Sequence, residues 1–179
     1  MDHKVLIIGH GRHGKDTVAE MFETRGYTFK SSSEAAAKIF LYDKLKDEFG
    51  YQSFEECYED RHNHRERWYN EICAYNKDDK ARLARDIMSE HDIYVGMRDR
   101  DEINLCVEQG IFDNVIWVER PDVPKEDPSS FNIDKVQADT VIINDGNLEA
   151  LRVKVNAFIM TSRAHRLHKQ AYEKPRWQE

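Results

Sequence analysis

Cysteine is scarce in this 179-residue chain. Cys57, Cys73 and Cys106 form no Cys-x-x-Cys pair, and an odd number at these spacings reads as reduced thiols in a cytosolic compartment. No stretch reads as a signal peptide, and no apolar run approaches membrane-spanning length. A cytoplasmic location is expected. Internal repeats and low-complexity tracts are also lacking. No complete metal-ligand set stands out around His62, His64 or His91, and His165 and His168 read as solvated. Positive charge is outweighed: 27 Lys and Arg face 34 Asp and Glu, a net charge of -7. That argues mildly against tight nonspecific nucleic-acid binding, although a local basic face stays open. Proline is confined: of four, three fall between Pro121 and Asp134, where several acids join them, and this segment reads as a mobile loop. Glycine is sparse too, eight in all, yet three crowd into one stretch near the start.

That stretch is Gly9-His10-Gly11-Arg12-His13-Gly14-Lys15-Asp16-Thr17. It lies between the apolar run Val5-Leu6-Ile7-Ile8 and a helical run beginning near Lys15. Strand, glycine-rich loop and helix in that order make a phosphate-binding device. Gly9, Gly11 and Gly14 let the backbone turn and aim N–H groups at phosphate oxygens, while the helix N-terminus adds partial positive charge. Lys15 can reach the outer phosphates. Gly9, Gly14 and Lys15 meet the P-loop spacing, so Gly9, Gly11, Arg12, His13, Gly14, Lys15, Asp16 and Thr17 are the expected nucleotide contacts. A glycine-rich turn without a ligand is the plainer alternative. Asp16 stands where Ser or Thr usually follows the lysine, and Thr17 comes one place later. The usual hydroxyl ligand to magnesium is thus in doubt, and Asp16 and Thr17 are the metal candidates.

The composition, 40% hydrophobic and 34% charged, suits one domain with a sizeable core. Strands are expected at Lys4–Ile8, Tyr27–Lys30, Ile93–Val95, Val115–Val118 and Val141–Ile143. Helices are expected from Lys15 to Gly26, Ser31 to Phe40, Tyr42 to Phe49, Phe54 to Tyr75, Lys80 to Glu90, Asp101 to Gln109 and Leu148 to Met160. Ser31 with Glu34, and Ser53 with Glu56, match capping boxes. Residues 1–161 read as the nucleotide-binding domain and 162–179 as a polar, basic tail. Alternating strands and helices predict an α/β fold with a parallel sheet flanked by helices. Ligands then bind at the carboxyl ends of the strands, so the P-loop, Arg98, Arg120 and Asn144 should share one rim.

Arginine suits phosphate through its planar fork of donors. Arg98 is assigned to the substrate, against the alternative that it and Arg100 pair with Asp99, Asp101 and Glu102. The densest chemistry is Asp60-Arg61-His62-Asn63-His64-Arg65-Glu66-Arg67-Trp68. On one continuous helix, Arg61, His64, Arg65 and Trp68 fall on one face, offering arginines for phosphate and an aromatic for stacking. Asp60 is the candidate base. A solvated helix of i,i+4 ion pairs is the alternative. The Ile93–Val95 strand ends in Gly96, not the acid expected to hold magnesium, and Asp16 is the candidate to take over part of that work. The expected catalytic set is Lys15, Asp16, Asp60 and Arg98.

Gly9 to Thr17, with its Gly-Lys-Asp-Thr ending, resembles the P-loop of bacteriophage deoxynucleoside monophosphate kinases. Arg98 to Glu102 is similar to that family's Arg-x-x-x-Glu, and Asp139 to Gly146, followed by Leu148, resembles the loop that holds adenine. The resemblance implies a P-loop NTPase fold of the nucleoside monophosphate kinase type, ATP and Mg2+ as cofactors, and Asn144 and Gly146 as nucleotide contacts. The Gly-His-x-x-His-Gly-Lys-Asp-Thr loop, Ser31-Ser32-Ser33 and Glu59-Asp60-Arg61-x-x-His64-Arg65-x-x-Trp68 resemble a narrower subset, the 5-hydroxymethyluracil DNA kinases. That implies transfer of the γ-phosphate to the base's hydroxymethyl group in viral DNA, a step toward hypermodified thymidine, in the host cytoplasm. The basic tail (Arg163, Arg166, Lys169, Lys174 and Arg176) with Trp68 and Trp177 is weakly in keeping with DNA. A free deoxynucleoside monophosphate is the alternative acceptor, and a non-catalytic nucleotide-binding regulator the alternative from another class. The oligomeric state is open, with a homodimer possible, and no membrane partner is expected.

Overall fold

Five parallel strands, in the order β2-β3-β1-β4-β5, carry the architecture. The computed structural model describes residues 3–126 and 131–173, with side chains through residue 168. β1 (Val5–Ile8) is central, its four residues fully buried between β3 (Ile93–Val95) and β4 (Asn114–Glu119). A strand covered on both faces has no polar side, which explains the unbroken apolar run. In register, Leu6 lies opposite Tyr94 and Val115, and Ile8 opposite Trp117. β2 (Phe29–Ser31) and β5 (Thr140–Ile143) are the edges.

The strand alternation splits the core in two. Val5, Ile7, Ile93, Val95, Ile116 and Val118 pack against α1 (Lys15–Glu23) and α8 (Leu148–Glu173). Leu6, Ile8, Tyr94 and Trp117 face the other layer. That layer holds α2 (Ser32–Ala36), α3 (Tyr42–Phe49), α4 (Phe54–Asp60), α5 (Arg65–Tyr75), α6 (Arg82–Glu90) and α7 (Arg100–Glu108). A π-helical turn, Ala37–Leu41, joins α2 to α3. Ser31 and Ser53 cap α2 and α4, accepting from Glu34 N–H and Glu56 N–H. Each box is only half made: Glu34 pairs with Lys30, and Glu56 accepts from Gln52 N–H.

Three expectations change. The helix expected from Phe54 to Tyr75 is two helices. Asn63 donates to Asp60 through both its backbone N–H and its side-chain amide (2.9 and 2.6 Å), local bonds that compete with helix continuation. Arg61, His64, Arg65 and Trp68 therefore do not share one helical face. α8 does not stop at Met160 but continues to Glu173, across the expected boundary at 161, because no Gly or Pro interrupts it. The proline-rich segment is irregular where described, but Phe131 and Ile133 are buried in the core. Pro128, Lys174, Arg176 and Trp177 lie outside the described residues, as does the Lys169 side chain.

Candidate active site

The P-loop leaves β1 under tight constraint. At Gly9, φ is +138°, and a Cβ would lie 2.3 Å from the Val118 carbonyl oxygen of β4. At Gly14, φ is +95°, and a Cβ would lie 2.6 Å from Asn144 Nδ2. At Gly9 a side chain is excluded by fixed backbone as well as by dihedral angle; at Gly14 the positive φ excludes it, and the near neighbour is the end of the Asn144 side chain. Arg12 also has positive φ, +64°, and its side chain is exposed. No side chain caps α1 at Gly14, so its first N–H groups stay available to an anion.

The expected rim assembles around this loop. Asn144 Nδ2 donates to His13 O at 3.2 Å, and Arg120 N–H donates to His13 Nδ1 at 3.1 Å. Lys15 Nζ curls back to donate to His10 O at 2.8 Å. Burial, opposed by Asp16 and Glu126, lowers the Lys15 ammonium to about 8. Asp16 is exposed at the start of α1. Thr17 lines an open groove between α1 and α8 with Glu20, Met21, Leu148 and Arg152. Gly146 is exposed just beyond Asn144.

Glu126 belongs to no motif in the sequence, yet it sits at the centre of the site. Its Oε2 accepts the Gly11 N–H at 2.7 Å, and its Oε1 lies 2.9 Å from Arg98 and 4.0 Å from Arg65. Burial alone would raise this carboxyl, but Arg98, the Gly11 N–H and Lys15 outweigh it and hold it below the usual glutamate range. The arginines from the end of β3 and the start of α5 thus meet the P-loop at one anion. Arg98 takes Glu126 as partner and not the neighbouring acids; Arg100 lies 3.7 Å from Asp134, and Lys80 pairs with Asp99 and Asp101.

The other expected residues are placed differently. The Asp60 carboxylate accepts from Tyr51 OH and Asn63 Nδ2, each at 2.6 Å, and lies 3.0 Å from His64 Nε2. The Tyr51 bond, then the Asn63 bond, push it below the usual aspartate range, which makes it a weaker base. Arg61 covers the Tyr58 ring at 3.8 Å and donates to Tyr58 O. His64 lies against Phe49 and serves as N-cap residue of α5. Trp68 is 4% exposed within the core, so its ring is covered and unavailable for stacking on a base. Glu102 lies between helices: it accepts from Asn76 Nδ2 at 2.8 Å, and burial, then Asp99, push its carboxyl up to about 8.

The site suits a nucleotide phosphate better than a directly held metal ion. The backbone at Gly11, with Arg98 and Lys15 near, already holds one oxyanion, which suits a nucleotide phosphate. For magnesium, the described residues offer no group of three His, Cys, Asp or Glu side chains. Asp16 and Thr17 could contribute only as partners to phosphate oxygens. Among the described residues, no helix is long and apolar enough to cross a membrane.

No family model matches the chain, and no curated protein matches it. Solved structures do. A gluconokinase from Sinorhizobium meliloti 1021 superposes with a TM-score of 0.50 at 14% identity, covering 94% of this chain and 97% of that one. A shikimate kinase from Aquifex aeolicus gives a TM-score of 0.48 at 11% identity, over 92% of this chain and 98% of that one. At such identity the likeness is one of fold. Parallel strands in the order β2-β3-β1-β4-β5, helices on both faces and a glycine loop from β1 into α1 give this chain a parallel α/β fold of the P-loop type, a fold it shares with that gluconokinase.

Proposed function

We propose that the protein is an ATP-dependent phosphotransferase acting on a deoxynucleotide-type acceptor, with the hydroxymethyl group of 5-hydroxymethyluracil in DNA as the preferred one. One observation carries the phosphotransferase reading: the Gly11 N–H and the Arg98 guanidinium converge on a single carboxylate beside Lys15. Donors in that arrangement suit a phosphoryl group whose charge spreads over its outer oxygens. The choice of acceptor rests on the sequence resemblance. A free deoxynucleoside monophosphate is the second reading; its terminal phosphate, with nearly two negative charges against one for each DNA phosphodiester, suits a site where Arg65 approaches the same anion as Arg98.

The chemistry is an in-line displacement. ATP, with Mg2+, supplies the phosphoryl group and a partly neutralised polyphosphate. The P-loop backbone from Gly9 to Gly14 holds the donor phosphates, and Lys15 reaches the outer ones on releasing the His10 carbonyl. Arg98 balances charge where the new bond from the acceptor oxygen to phosphorus forms and the bond to the bridging oxygen breaks. The bridging oxygen keeps its electron pair, and the acceptor hydroxyl gives up its proton. Asp60 can take that proton only after releasing Tyr51 and Asn63.

The acceptor is decided by incubating the protein with γ-labelled ATP and either free monophosphates or hydroxymethyluracil DNA. The DNA reading expects label in the polymer, with affinity falling steeply as salt rises. Label in monophosphates alone ends it. ATP binding without any transfer would favour the non-catalytic regulator.

A further inference from the structure

Glu126 belongs to the β4–β5 connection, yet its contacts are those of a phosphate ligand. One oxygen takes the Gly11 N–H and the other faces Arg98 and Arg65. The side chain is only 14% exposed. The backbone of the same segment is fastened to the P-loop at two places. Arg120 N–H donates to His13 Nδ1 at 3.1 Å, and Glu126 N–H donates to His10 Nδ1 at 3.2 Å. Both histidines are buried, His10 also against Trp117 and Phe131. Residues 120 and 126 are thus anchored on His13 and His10, on either side of Gly11. A phosphate approaching the Gly11 N–H and Arg98 meets a carboxylate already there. Two oxyanions on one donor set repel, so they exclude each other.

We propose that Glu126 is an internal phosphate mimic: its carboxylate takes the place of a nucleotide phosphate on the Gly11 N–H and Arg98, and nucleotide enters only after the 120–126 segment withdraws it. This rests on the phosphotransferase reading of the same loop and adds its regulation. Three properties follow. The Gly11 N–H and Arg98 keep an anionic partner whenever Glu126 is in place. The apparent nucleotide affinity is reduced by the fraction of molecules that are open. Opening must also precede binding, so the association rate reaches a ceiling at high nucleotide concentration.

The test compares wild type with Glu126→Gln and Glu126→Asp, using a fluorescent ADP analogue with magnesium in equilibrium and stopped-flow measurements. Circular dichroism verifies that all three are folded. Glutamine removes the charge. Aspartate keeps it but is one methylene too short to span to the Gly11 N–H. Both variants are expected to bind about tenfold more tightly, and their association rates to rise linearly where wild type levels off. If Glu126→Asp behaves as wild type while Glu126→Gln tightens, only net charge matters and the mimic is overturned. Equal affinity and rate in all three proteins overturns it too. If none of the folded proteins binds the analogue, the phosphotransferase reading itself fails and takes the proposal with it.

Discussion

Glu102 shows how one residue can tie stability to pH. Its carboxyl lies among Asn76, Asp99, Tyr94 and Cys106, with Lys80 near, and burial pushes it up to about 8. In the unfolded chain it titrates as an ordinary glutamate. Between those values the folded state holds a proton that the unfolded state has lost. This contribution is therefore fully present below the ordinary glutamate range and fades as pH rises toward 8. Denaturant unfolding from pH 5 to 8 should show falling stability, with a slope from this group of at most about 1.4 kcal/mol per pH unit. Glu102→Gln keeps the acceptor for Asn76 and should flatten that slope; an unchanged slope would remove Glu102 as its cause. The sequence placed Glu102 after Arg98 but carried no sign of its burial. Glu126 was less legible still. Its partner Gly11 is 115 residues away in sequence, and no local spacing encodes such a meeting. His10 and His13 were visible within the loop, but their role as acceptors for the 120–126 backbone depends on that same tertiary approach.

Elements were read best where one physical cause acts alone. β1 was legible because burial on both faces demands a continuous apolar run, and the P-loop because its glycines are fixed by sterics. Gly9→Ala would force a methyl group against the main chain of β4 at positive φ, and neither strand can yield. It should cost about 3 kcal/mol or more in urea unfolding. A loss below about 1 kcal/mol would mean that the β1–β4 contact is looser than described. The α4–α5 stretch departs from its expected single helix where two causes compete. Its helical periodicity runs from Phe54 to Tyr75, but Asn63 and Asp60 bond to each other and end the first helix. That break separates Arg61 from Arg65 and leaves Trp68 in the core. α8 outruns its expected end at Met160: the sequence beyond is polar like a tail, but no Gly or Pro stands between Leu148 and Glu173 to break the helix that Leu151, Val155 and Ile159 anchor in the core.

At the scale of the molecule, the sheet order brings the carboxyl ends of β1, β3, β4 and β5 to one rim. The P-loop, Arg98, Arg120 and Asn144 meet there as the strand pattern requires. Charge is distributed to match. The chain is acidic overall, yet Lys15, Arg98 and Arg65 gather at that rim around one carboxylate. Phosphate transfer at this rim would depend first on Lys15. The direct measurement is release of ADP and transfer of label from γ-labelled ATP, with hydroxymethyluracil DNA and deoxynucleoside monophosphates both present, by wild type and by Lys15→Ala. Wild type should label one acceptor in step with ADP release. Lys15→Ala should fold with the same circular dichroism and lose at least about a hundredfold in rate. Transfer by Lys15→Ala near the wild-type rate would remove the P-loop from the chemistry.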